Sequence, residues 1–122
     1  MKKILTLKKN YEFRYTLNKG KVYYGNQIIV YINKNKSNTN ILGIAINTKL
    51  GKAVIRNRVK RLIRENYKII NNHLNQGYNI VFLWNKKTNI KQADYFEIKK
   101  DMQNIFKKAK MLNYEKNNNF FN

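Results

Sequence analysis

The sequence predicts an α+β domain, a two-layer sandwich of a mostly antiparallel four-stranded sheet and a layer of helices. Three observations carry that prediction. Ile28-Ile29-Val30-Tyr31-Ile32 is an unbroken β-branched and aromatic run, the composition of a strand. Residues 52–74 carry apolar positions at helical spacing. The order is helix, two or three strands, helix, strand, helix, which sets strands beside helices as α+β folds do. With 122 residues, 43% of them hydrophobic, the chain can bury one core.

Taken in order, Asn10 caps a helix from Tyr11 to Lys19, and Gly20 stands at its stop. Phe13 and Leu17, four apart, share a face of it. Tyr23 to Asn33 is strand-like. The polar stretch Lys34 to Asn40 reads as a hairpin loop, and Ile41 to Asn47 as the next strand. Gly51 precedes a long helix, Lys52 to Leu74, which joins two strands expected to be parallel neighbours. Gly77 opens the strand Tyr78 to Asn85. Lys86 to Asn89 is a turn, and Ala93 to Leu112 is the last helix. Residues 1–112 form one domain, and 113–122 read as a flexible tail.

The strands are asymmetric. Ile28, Val30 and Ile32 share one face, as do Leu42, Ile44 and Ile46 of the next strand. The other face sets Ile29 and Tyr31 beside Gly43 and Ala45. Small residues there either admit a closely packed helix or leave a groove, with the first helix and Phe13 as one wall.

The formal net charge is +20, with only six acidic residues. Such self-repulsion calls for a polyanion, nucleic acid first and an anionic membrane second. No stretch approaches the roughly 20 apolar residues of a spanning helix. The start, MKKILTLKKNYEF, lacks the apolar core of a signal peptide. Without cysteine there is neither disulfide nor thiolate metal site, and His73 is the only histidine. These features point to the cytoplasm.

Arginine is the sharper signal. Lysine outnumbers it 21 to 5, yet Arg56, Arg58, Arg61 and Arg64 crowd one nine-residue window. A guanidinium offers a planar fork of donors that fits two phosphate oxygens; an ammonium is a point charge. On a helical wheel Ile55, Val59, Leu62, Ile63, Ile69 and Ile70 form an apolar stripe. Lys60, Arg61, Arg64 and Lys68 lie opposite, with Asn57 among them and Arg58 flanking. The heads of Arg58 and Arg61 are expected to project away from the sheet. Arg56 falls at the stripe's edge and must reach out or find a partner. Glu65 is the only nearby acid, so i,i+4 pairing does not neutralise the helix. This face suits phosphates and base or ribose edges. A membrane-surface role is disfavoured, because the sheet needs the apolar stripe and it lacks Trp and Phe.

The segment Lys49-Leu50-Gly51-Lys52-Ala53-Val54-Ile55-Arg56-Asn57-Arg58-Val59-Lys60-Arg61-Leu62-Ile63-Arg64-Glu65 resembles the RNR signature of the bacterial ribonuclease P protein component. Leu7-Lys8-Lys9-Asn10-Tyr11-Glu12-Phe13 and Lys19-Gly20 are similar to that family's N-terminal segment. The resemblance implies a ribosomal-protein-like fold with a left-handed βαβ crossover. It implies the protein subunit of an endoribonuclease whose RNA carries the chemistry and removes 5′ leaders from precursor tRNA. Lys52, Arg56, Asn57, Arg58, Lys60, Arg61, Arg64 and Lys68 would bind the catalytic RNA. Phe13, Leu17, Tyr31, Thr48 and Lys49 would line the leader cleft. Leu17 stands where relatives often carry an aromatic; Asn47-Thr48 stands where many carry serine and a basic residue. Magnesium would be held mainly by RNA, and neither a further protein partner nor a membrane is implied. A structural RNA-binding protein, such as a ribosomal protein, is the alternative.

The remaining candidates are weaker. Asp94, Glu97 and Asp101 share a helical face and read as a metal site or, more often, as a solvated face paired with Lys99 and Lys100. His73 reads as a surface or half-buried residue and Trp84 as core. No residue cluster has the pattern of a protein-borne catalytic site.

Overall fold

The computed structural model describes residues 4–113; of the tail, residues 114–122 lie outside it. The strands are β1 (Leu5–Thr6), β2 (Lys21–Tyr24), β3 (Ile28–Lys34), β4 (Ile41–Ala45) and β5 (Tyr78–Trp84). The helices are α1 (Asn10–Lys19), α2 (Ala53–Ile70) and α3 (Tyr95–Lys108). One sheet runs in the order β1-β4-β5-β3-β2. It holds the four strands of the expected sheet and a fifth, the two-residue β1, parallel to β4. The single run Tyr23 to Asn33 read from the sequence is two strands, β2 and β3, broken at residues 25–27, where Asp101 accepts backbone N–H groups. β2 and β3 are antiparallel, as are β3 and β5. β4 and β5 are parallel neighbours joined through α2, as the long helix suggested.

The hairpin reading of Lys34 to Asn40 is wrong. β5 lies between β3 and β4, registered with both (Val30↔Phe82, Ile44↔Phe82). Ile80, Val81 and Phe82 are all fully buried, so β5 is apolar on both faces and takes the centre of the sheet. The polar stretch satisfies its backbone with asparagine and glutamine side chains instead. Asn35 accepts from the Ser37 N–H and donates to the Thr39 carbonyl, and Gln76 accepts from the Asn40 N–H.

Helix ends differ from the sequence reading by small margins with clear causes. α1 starts at Asn10, with Lys9 as its cap, because the Glu12 carboxylate accepts the Lys9 N–H at 3.2 Å. Gly20 ends it as expected; a Cβ there would collide with the Thr16 carbonyl oxygen. α2 gives way at Asn71 to a 3-10 turn, Asn71–His73. α3 starts later than Ala93, because the Asp94 carboxylate accepts the N–H groups of Phe96 and Glu97. It stops before Lys110, the one described non-glycine residue with positive φ (58°).

The core lies between the Ile28-Val30-Ile32 face of the sheet and the α2–α3 pair. Phe82 stands at its centre, edge-on to Tyr67 at 5.7 Å and to Phe106 at 6.3 Å between centroids. Burial pushes the Tyr67 phenol above its ordinary pKa, and its hydroxyl donates to Asn71 Oδ1. Trp84 is core, as expected, and its indole N–H donates to the Thr88 carbonyl at 2.7 Å. α1 crosses the opposite face.

Candidate nucleic-acid interface

α2 separates its two chemistries by spacing. Val59, Leu62, Ile63, Asn66, Tyr67 and Ile70 are buried, an i, i+3, i+4, i+7 stripe. Ile69, assigned to that stripe from the sequence, is instead 48% exposed. Asn66 takes a buried place because its amide donates to the Leu62 and Tyr95 carbonyls, both at 3.1 Å. Lys52, Asn57, Arg61, Arg64 and Lys68 are exposed, and Lys60 is half-buried.

The four arginines are not equivalent. Arg56 finds the partner its position demanded, donating from Nε to the Gly51 carbonyl at 3.0 Å. Arg58 is exposed, but one of its donors is taken. Its Nη1 donates to the Ala93 carbonyl at 2.8 Å, across to the turn that leads into α3. That carbonyl sits at the end of a 3-10 turn, where backbone acceptors lack helical partners. Arg61 lies 4.0 Å from Glu65, an exposed i,i+4 pair at the limit of contact. Such a pair contributes only ~0.3–0.5 kcal/mol, and one acid among these cations leaves the face strongly positive. Arg64 is exposed beside the sheet edge.

On the far face of the sheet the register aligns Gly43, Val81, Tyr31 and Val22 in one row. Ala45, Leu83, Ile29 and Tyr24 form the next. α1 covers the first row in part. A Cβ on Gly43 would lie 2.7 Å from the Phe13 ring, so the ring rests directly on this glycine. The closely packed helix holds at Gly43, whereas the groove farther along the face is lined by no residue of α1. Gly43 admits the helix, and a groove remains beyond it over Ala45, Ile29 and Leu83, about 250 Å³, reaching Asn47 and Lys86. Leu17 and Tyr31 are half-buried near Phe13's end of the face, whereas Thr48 and Lys49 are exposed on the 3-10 turn after β4. Sequence reasoning missed Val22, Tyr24, Leu83 and Lys86. The period-two alternation of Tyr78–Trp84 was the available signal, but only the strand order sets Leu83 beside Ala45.

The basic helix and the sheet face meet at the β1–β4 side of the sheet. A cavity of about 230 Å³ is lined by Thr6, Leu7, Phe13, Leu42, Gly43, Ile44 and Arg64. It brings an aromatic ring from one face and a guanidinium from the other to one opening.

The acidic trio dissolves on inspection. Asp101 is 4% exposed and accepts the N–H groups of Asn26, Gln27 and Ile28 at 2.7–3.1 Å. It is neither solvated nor free for a metal; it pins the β2–β3 turn to α3. Asp94 caps α3, and Glu97 lies 3.7 Å from Lys100. Among the described residues, no three His, Cys, Asp or Glu side chains group as metal ligands.

A family model described as Ribonuclease P matches residues 1–110. The chain belongs to the ribonuclease P protein family. A ribonuclease P protein component from Clostridium botulinum (strain Langeland) is 41% identical over 108 residues, spanning 88% of this chain and 96% of that protein. One from Fusobacterium nucleatum is 40% identical over 109 residues, 88% of this chain and 98% of that protein. Among solved structures, the Staphylococcus aureus RNase P protein superposes with a TM-score of 0.78 at 33% identity, covering 91% of this chain and all of that one. The Thermotoga maritima RNase P protein gives 0.76 at 27% identity, covering 84% and 96%. The chain is thus a protein component of ribonuclease P, an endoribonuclease, and its partner is the ribonuclease P RNA. Membership favours this reading over the ribosomal-protein alternative. Among the described residues, no helix is long and apolar enough to cross a membrane.

Proposed function

We propose that this ribonuclease P protein works through two surfaces. The outer face of α2, with Lys52, Arg56, Asn57, Arg58, Lys60, Arg61, Arg64 and Lys68, binds the catalytic RNA. The cleft of Phe13, Leu17, Tyr31, Thr48 and Lys49 holds the single-stranded 5′ leader of precursor tRNA. The RNA carries out the cleavage, with magnesium bound mainly by its own oxygens. Two components, this chain and its RNA, suffice, and they work in the cytoplasm.

The observation that carries this reading is the shared opening at the β1–β4 side of the sheet. Phe13 offers a ring for a base, and Arg64, on the same cavity, offers a fork for phosphate. A leader leaving the cleft there would run directly onto the basic helix. Arg61 and Arg64 have the most freedom to meet RNA, since Arg56 and Arg58 each spend one donor on a carbonyl.

The test is reconstitution with the catalytic RNA and precursor tRNA carrying or lacking a leader. Arg61→Ala with Arg64→Ala should weaken affinity for the catalytic RNA whatever the substrate. Phe13→Leu, which keeps apolar volume over Gly43 but removes the π face, should lose leader-dependent affinity, about 1–3 kcal/mol for one stacked base. Tyr31→Leu should do the same. Equal leader contributions in parent and variant enzymes would reduce the cleft to a packing feature.

A further inference from the structure

α1 presents aromatics on two sides, and the cleft uses only one. Phe13 and Thr16 face the sheet. Thr16 is fully buried, and its hydroxyl donates to the Glu12 carbonyl and lies 3.5 Å from Asn79 Nδ2. On the outward side Tyr11 and Tyr15, one turn apart, are 65% and 56% exposed. They line a groove of about 410 Å³ with Glu12, Arg14, Asn18 and Asn79. We infer that this groove is a second stacking platform for single-stranded RNA, on the flank of α1 turned away from the leader cleft.

The occupant follows from the chemistry around the rings. An exposed tyrosine pair in a groove whose other lining residues are all polar or charged offers two flat rings with hydrogen-bonding groups beside them, which suits bases rather than an acyl chain or an apolar helix. Asn18 and Asn79 supply amide donors and acceptors for base edges. Arg14 lies in the groove, and the Lys9 ammonium sits over one face of the Tyr11 ring at 5.7 Å, which leaves the other face for a base and adds a second cation beside it. Glu12, the groove's acid, is already bonded to the Lys9 N–H. The formal charge of +20 selects against a cationic partner and for a polyanion.

The inference takes from the preceding section only that the chain works on RNA; it does not need the cleft. Either an unpaired stretch of the catalytic RNA or a distal part of the leader would fill the groove, since both present the same bases and phosphates.

The experiment compares the parent chain with Tyr11→Leu/Tyr15→Leu, Tyr11→Phe/Tyr15→Phe and, separately, Phe13→Leu. Both tyrosines are exposed, so circular dichroism and melting should match the parent. Binding of a fluorescein-labelled 12-nucleotide single-stranded RNA to the free protein is measured at moderate salt. The double leucine variant should bind on the order of tenfold more weakly for each stacked base lost, and the double phenylalanine variant should bind as the parent does. In the assembled enzyme, a loss of affinity for the catalytic RNA identifies that RNA as the source. A loss confined to substrates with long leaders identifies the leader. Unchanged oligonucleotide affinity in the double leucine variant overturns the inference. So does a tyrosine-dependent dimer seen by sedimentation, or tyrosine-dependent binding to anionic phosphatidylserine vesicles in place of RNA. Phe13→Leu keeps the two claims apart: an effect at the tyrosines without one at Phe13 supports the platform and removes the cleft.

Discussion

Single side chains in this molecule take parts that their residue type hides. Asp101 resembles a surface acid on a lysine-rich helix, yet it gathers three backbone N–H groups of the β2–β3 turn. The neighbouring Gly25 is forced by it, since a Cβ there would stand 2.5 Å from the Asp101 carboxyl carbon. Arg58 resembles another phosphate ligand, yet it tethers the approach to α3. Its removal should therefore affect folding as well as RNA binding. Arg58→Ala should lose about 1 kcal/mol of stability, the scale of a charge-assisted hydrogen bond at a partly exposed site. Arg61→Ala, which removes the exposed pair with Glu65, should stay within about 0.5 kcal/mol of the parent. Urea titrations of the three proteins decide it; equal midpoints for the two variants would mean that the Ala93 contact contributes nothing.

At the scale of elements, the position of α1 rests on one missing side chain. Gly43 allows Phe13 to lie on the sheet, with Leu7 also within 3.0 Å of where a Cβ would go. Gly43→Ala should push the ring and the helix outward, at a cost of about 1–3 kcal/mol for overpacking. In a Phe13→Leu background the smaller, more pliable side chain should relieve part of that cost. A double-mutant cycle measured by thermal unfolding reads the coupling directly. Strict additivity would show that α1 is not seated on Gly43. The sequence suggested this contact as one of two options, because a small-residue strand face is legible while its occupant is not. The period of 3.6 likewise revealed α2's two faces, but not that Asn66 would outrank Ile69 for burial. That choice depended on a carbonyl of Tyr95, which is remote in sequence.

For the whole molecule, the excess of positive charge is the controlling fact. With +20 formal charges, its RNA affinity should fall steeply with salt, because each phosphate neutralised releases counterions. About six phosphate contacts would give a loss on the order of a thousandfold between roughly 50 and 200 mM monovalent salt. Filter binding to the catalytic RNA across that range is the measurement. A flat profile would contradict a phosphate-based interface, and a slope that is unchanged in Arg61→Ala/Arg64→Ala would move the interface off α2.

The sequence by itself determined the class of fold, the position of nearly every element, the arginine-rich face and the family. Those depend on local periodicity, on charge counting and on one long contiguous motif, all of which survive without knowledge of distant contacts. Only the tertiary structure decided that β5 separates β3 from β4, because a strand's neighbours follow from which strand can be buried on both faces. It alone set Phe13 and Arg64 on one opening and joined Arg58 to the Ala93 carbonyl. It also made a buried clamp of Asp101 and left Tyr11 and Tyr15 facing outward. Each of these joins residues far apart in the chain or depends on which side of a helix the sheet covers. The physical reason is the same throughout: a side chain's role is fixed by the unsatisfied groups and free space that folding brings to it.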